Sequence, residues 1–218
     1  MLTPSRRRAA NLRVVNYHLT PASRAVDYDR EFFALAARYA PVREDDLAEY
    51  LTCGRWPIGR DGVLPVFYNG YRNNFDVARP LLDKHGLVGW FMAVSGYSDC
   101  PAAEQQAFAA TNRLTSLPGE YADGRSALSW DELRELDRGH VVGSHTRNHS
   151  RSGMDNPEAV HDEIVGAQTD FSRELGHPVR AFAWLFGGRY GENPVADAAV
   201  DQAGYSFLFS NFAVQRLR

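Results

Sequence analysis

The segment GSHTRNHS sets His145 and His149 four residues apart. On a helical turn, residues with that spacing share a face, so two imidazoles can converge on one metal ion. Alone, the pair fits two solvated loop histidines equally well, or one histidine capping a backbone group. Its weight comes from the apolar run before it, residues 141–144, which reads as a strand. Proteins of the α/β class build their sites at the carboxyl ends of strands. A second such end lies in LPVFYNGYRNNFDVARPLLDKHGL, where a strand over 63–68 meets Asn69 and Gly70 and then a helix over 74–85. Tyr68 and Asn69 read there as turn residues.

The elements that must position these side chains alternate along the chain. Apolar runs at 12–18, 63–68, 88–94, 141–144, 179–186 and 205–210 read as about six strands. Helical patterns fall at 29–39, 45–51, 74–85, 101–114, 130–138, 156–175 and 194–202, and 118–129 reads as a loop. Ser129 with Glu132 three positions on forms a capping box for the helix at 130. The strands are apolar throughout rather than alternating, which suits a parallel sheet covered by helices, in an α/β barrel or a doubly wound sheet. With 218 residues, 44% of them hydrophobic and 23% charged, the chain has the length and composition of one globular domain. A net charge of -3 asks for neither nucleic acid nor an anionic membrane. Cys53 and Cys100 lack metal-type spacing and read as two free thiols. The basic start, MLTPSRRRAANLRVV, has no apolar run of signal-peptide length, and no stretch is long enough to span a membrane, so a cytoplasmic location is expected.

Taken in order, these pieces resemble the polysaccharide deacetylase family (NodB-homology carbohydrate esterases). LRVVNYHLTP resembles its first strand, with the pair Tyr17 and His18. VFYNGYRNNFDVARPLLDKHG resembles the first motif, usually TFDDGY, and the helix after it. GSHTRNHS resembles the SHTxxH block, RAFAWLFGGRYGE the third motif around Tyr-Pro-Phe-Gly, and GYSFLFS the next strand. The resemblance covers nearly the whole chain. It implies a single domain over 1–218, folded as a distorted (β/α) barrel of about seven parallel strands and cut short at its C-terminal end.

The resemblance also implies a chemistry. The family holds a divalent metal, zinc first and cobalt or nickel next, with one Asp and two His. A second Asp is the base toward water, a late His protonates the departing amine, and an acetyl group leaves an N-acetylated sugar. Carried over, Asn69, His145 and His149 take the metal positions and Tyr68 the base position. Arg72, Trp184, Tyr17 and His18 fall beside a carbohydrate or small-molecule substrate. Both first-motif acids are thus replaced, Leu185 stands for the third-motif Pro, and the chain ends at Arg218 before the late His motif. A neutral amide should hold a cation less tightly than a carboxylate but leave the ion its full charge to acidify water. A phenol with an ordinary pKa of about 10 cannot be the base, though it can donate to an oxyanion. Loss of a general base removes about 10²–10⁴ in rate. The expectation is therefore weakened or lost hydrolysis of a carbon–nitrogen amide bond. The alternative is an inactive relative that binds a glycan or protein through the old cleft, and a third reading is metal-free chemistry there. Arg72 either pairs with Asp76 or meets substrate, and Trp184 is either a stacking wall or core. Arg147 and Asn148 are expected to face solvent or substrate, and Asp162 and Glu163 to lie on a solvated helix face. Oligomeric state is left open.

Overall fold

The computed structural model describes residues 11–54, 56–117, 119–150 and 156–216. Its strands are β1 (Leu12–Tyr17), β2 (Ala40–Pro41), β3 (Gly62–Asn69), β4 (Trp90–Ala93), β5 (Val141–Ser144), β6 (Ala181–Ala183), β7 (Phe207–Ser210) and β8 (Ala213–Arg216). They form one sheet in the order β1-β3-β4-β5-β6-β7-β8, with β2 also beside β3. Every pair is parallel except β7 with β8. The sheet curls into a nearly closed barrel of about seven strands. The helices are α1 (Ala25–Arg38), α2 (Glu44–Cys53), α3 (Arg79–His85), α4 (Ser95–Asp99), α5 (Gln105–Thr111), α6 (Trp130–Leu136), α7 (Pro157–His161), α8 (Ala167–Leu175) and α9 (Pro194–Ala203).

Side chains alternate across each strand, and here both faces are buried. In β3 every residue of GVLPVFYN is buried. Leu64, Val66 and Tyr68 point into the barrel and pack with Trp90, Met92 and Phe209. Val63 and Phe67 point outward to the helix layer with Phe32, Leu82 and Phe91. Gly143 makes room inside: a Cβ there would come within 2.5 Å of Met92 Sδ. At the N-terminal end, Leu47 of α2 and Val42 close the barrel, and Trp90 Nε1 donates to Val42 O at 3.0 Å. The interior is therefore filled, and the C-terminal rim lies above it as a place to form a site.

Most expected elements stand, with shifted ends. Ser129 caps α6 through the capping box read from the sequence. The strand expected at 179–186 is only three residues long, because Phe186 (φ 52°) and Gly187 (φ 80°) cannot continue an extended chain. The helix expected at 156–175 is capped by Asn156 but widens into a π-type turn over Asp162–Gly166. β2 and β8 were not read from the sequence, since neither carries the apolar run that marks a buried strand. Cys53 and Cys100 are free thiols. Among the described residues no helix is long and apolar enough to cross a membrane.

Candidate active site at the barrel mouth

Strand register sets the site's rim. Asn69 pairs with Ala93, and Ala93 with Ser144, so the carboxyl ends of β3, β4 and β5 lie level. His145 follows β5 directly, and its N–H donates to Ala93 O at 2.8 Å. His145 Nδ1 lies 2.9 Å from Ala183 O, at the end of β6. A carbonyl oxygen only accepts, so Nδ1 carries the proton and Nε2 keeps its lone pair. His149 repeats the arrangement, with Nδ1 2.8 Å from the carbonyl of Asn112, which ends α5. The two rings are 5.0 Å apart. Burial, helped by the neighbouring His149, pushes the His145 pKa down to about 3. Burial also holds that of His149 below the usual histidine range. Both imidazoles are therefore neutral at physiological pH.

The two histidines do not share a helical turn, contrary to the expectation. They meet through an irregular loop in which Thr146 (φ 69°) and His149 (φ 57°) both take left-handed conformations, each at a cost of order 1–3 kcal/mol. The opposing support is specific. Thr146 Oγ1 accepts from His149 N at 3.0 Å. Glu163, in the widened turn before α8, accepts Arg147 N at its carbonyl (2.9 Å) and Asn148 N and Nδ2 at its carboxylate (3.0 and 2.9 Å). Gly96 N donates to Arg147 O at 2.8 Å, and a Cβ on Gly96 would stand 2.7 Å from that oxygen. Arg147 pairs with Asp162 and Asp170. So Arg147 and Asn148 are half-buried and tied to the α7–α8 segment, still partly facing solvent as expected, whereas Glu163 is buried, not solvated. Asp162 is exposed but paired. Asp170 is buried and also accepts from Ser95 Oγ at 2.9 Å.

The β3 side of the mouth differs. Asn69 sits at φ 77°. Its Nδ2 donates to Tyr71 Oη at 3.0 Å, and its buried Oδ1 has no hydrogen-bond partner. Tyr68 is buried, and its hydroxyl donates to Asn211 O at 3.2 Å, with Asn16 Oδ1 at 3.5 Å. Its ring lies between His18, stacked at 5.4 Å, and His145, edge-on at 5.3 Å. Burial raises its phenol pKa further, away from a base's range. His18 is exposed over Tyr68.

The other expected substrate contacts separate from this cluster. Tyr17 faces the opposite way, stacked on Phe67 at 4.9 Å with its hydroxyl on Glu31 at 2.7 Å. Arg72 pairs with Asp76 and Asp123 and lies 4.0 Å over the Tyr121 ring. Trp184 is core, edge-on to Phe182 at 5.1 Å, and its Nε1 is buried without a partner. It backs a cavity of about 310 Å³ shared with Phe186 and Arg189. Phe186 is the exposed aromatic beside the site, edge-on to His149 at 5.4 Å. Several positioning residues had no sequence signal. Thr20 N donates to Asn73 Oδ1 at 3.0 Å and Asn74 Nδ2 to His18 O at 2.7 Å, which ties the His18 loop to the turn after β3.

Among the described residues no group of three or more His, Cys, Asp or Glu side chains is arranged to hold a metal ion. What the mouth offers instead is two imidazole lone pairs and one amide oxygen.

Residues 59–208 match the family model described as polysaccharide deacetylase. No curated protein matches the chain. Among solved structures, the chain resembles the Streptococcus pyogenes deacetylase PplD in complex with acetate, at 13% identity and TM-score 0.71, over 95% of this chain and 86% of that one. It resembles IcaB from Ammonifex degensii at 20% identity and TM-score 0.68, over 92% and 84%. It resembles a de-N-acetylase from Aggregatibacter actinomycetemcomitans at 18% identity and TM-score 0.65, over 95% and 88%. At such identities the likeness is one of fold, and it agrees with the barrel expected from the sequence.

Proposed function

The chain belongs to the polysaccharide deacetylase family, and from that premise we propose that it is a single-domain hydrolase acting slowly on the carbon–nitrogen amide bond of an N-acylated sugar or related small amide. One observation carries this reading: His145 and His149 each commit Nδ1 to a backbone carbonyl, leaving both Nε2 lone pairs unclaimed. The unpartnered Asn69 Oδ1 adds a third donor atom, and this set fits a divalent ion, zinc before cobalt or nickel. When bound, such an ion would polarise the acyl carbonyl and acidify water. The amide is neutral, so the hold is weaker than a carboxylate's. The chain's own proton-transfer equipment is poor. Tyr68 gives its hydrogen to Asn211 O, and among the described residues no carboxylate takes over as base, which costs about 10²–10⁴ in rate.

A second reading has its own support. The buried carboxylates behind the histidine loop, Glu163 and Asp170, are both spent on structural bonds. On that reading the chain is a non-catalytic relative that binds a glycan or protein partner through the old cleft. Metal content separates the two. Stoichiometric zinc by elemental analysis, lost in both His145→Ala and His149→Ala, with slow acetate release from N-acetylglucosamine oligomers, would support the hydrolase. No zinc after incubation with excess ion would favour the binding protein.

A further inference from the structure

Three side chains at the barrel mouth each leave one hydrogen-bond acceptor unpaired. His145, His149 and Asn69 are 4%, 7% and 5% exposed. Each has one acceptor, Nε2, Nε2 and the buried Oδ1, to which the structure gives no hydrogen bond. The donors beside them are already used: the Tyr68 hydroxyl on Asn211 O, and Asn69 Nδ2 on Tyr71 Oη. A floor of acceptors without a donor costs free energy until a ligand supplies the donors. An N-acyl group is a poorer match, because it brings a single N–H donor and a carbonyl whose lone pairs would face lone pairs. A primary ammonium is a good one. It brings three N–H donors and no acceptor, and the rings of Tyr68 and Phe186, 5.3 and 5.4 Å from the two imidazoles, add attraction for a cation.

We propose that the metal-free mouth of this barrel binds the free amino group of an amino sugar, so that the chain holds the de-N-acylated glycan in preference to the N-acylated one. The three acceptor atoms are those a divalent ion would use, so ion and amine exclude each other. The inference requires no turnover and stands apart from the hydrolase reading.

The test uses the full chain after chelator treatment, titrated with glucosamine and with N-acetylglucosamine while the ring resonances of His145 and His149 are followed by NMR. Glucosamine is expected to move both rings and to bind at least about tenfold more tightly, the worth of one charge-assisted hydrogen bond. Asn69→Ala should weaken glucosamine by a similar factor. Asn69→Asp, a residue that tolerates the left-handed backbone better, should tighten it, and this second variant decides the matter if the alanine form does not fold. Equal affinities would overturn the inference, as would no movement of either ring. A preference for N-acetylglucosamine would also overturn it, since that result turns Asn69 Nδ2 toward the cleft. Failure to take up zinc would count against the hydrolase reading alone and leave the comparison of the two sugars standing.

Discussion

The two ends of the barrel use histidine in opposite ways. At the N-terminal ends of β5 and β6, His177 Nε2 lies 2.7 Å from Asp137 Oδ2, beside a cavity of about 250 Å³ that also meets Glu44 and Arg180. Nearby, His140 Nε2 lies 3.2 Å from Asp83 Oδ1. At the mouth, His145 and His149 bond to carbonyls and meet each other, Tyr68 and Phe186, and among the described residues no carboxylate bonds to either. The hydrogen bond to Asp137 holds the His177 pKa above the ordinary value, whereas burial drives that of His145 far below it. One residue type thus serves, in His177, as a strut that holds its proton more readily than a free imidazole and, in His145, as a neutral, available ligand. An acid within reach raises the value only where water also reaches the ring: His140 has Asp83 beside it, and burial still holds its pKa below the ordinary value.

Acid should expose this contrast most strongly. The folded pKa of His145 lies below its unfolded value of 6.5, so the unfolded chain takes up a proton that the folded chain refuses. Stability is then intact above pH 6.5 and lost as pH falls from 6.5 toward 3, with a slope approaching about 1.4 kcal/mol per pH unit. His149 acts in the same direction. Urea unfolding between pH 7 and pH 4 should show that slope, and His145→Gln should flatten it. An unchanged slope in the variant would remove the distinction between the two ends.

Supplying acids at the end of β3 should nearly erase the contrast. Tyr68→Asp with Asn69→Asp places carboxylates beside unpaired imidazoles, and zinc affinity by calorimetry should rise by about 10²-fold, roughly 3 kcal/mol. No gain would mean that the histidine half of the site cannot use an acid from β3. The smallest effect belongs to the other end. Asp137→Asn should cost under about 1 kcal/mol, because His177 is 49% exposed in that pair. The sign is opposite to that of His145. With its folded pKa raised, His177 contributes fully below pH 6.5 and loses that contribution as pH rises through the folded value. Melting curves of the variant should therefore differ from the parent at pH 6 and coincide at pH 9.

The histidine pair and the barrel were legible because both rest on local pattern: apolar runs of strand length, each followed by polar residues. What failed was geometry that depends on distant partners. Glu163 reads as a helix-surface acid until the widened turn at Asp162–Gly166 and the Arg147–Asn148 backbone are brought together. Phe186 was overlooked in favour of Trp184 because the left-handed backbone that swings it outward leaves no mark on composition. One error was avoidable. Tyr17 and His18 are neighbours at the end of a strand, and successive strand residues point to opposite faces, so the pair was never able to share one surface.

The Tyr68 hydroxyl reaches Asn16 on β1 and Asn211 in the β7–β8 turn. β1 and β8 are the two ends of the sheet order, so this phenol spans the seam where the barrel does not zip shut. An aspartate at position 68 is too short to bridge that gap. The tyrosine at position 68 is thus a clasp, and a variant with an acid there is expected to breathe along the seam that the tyrosine holds.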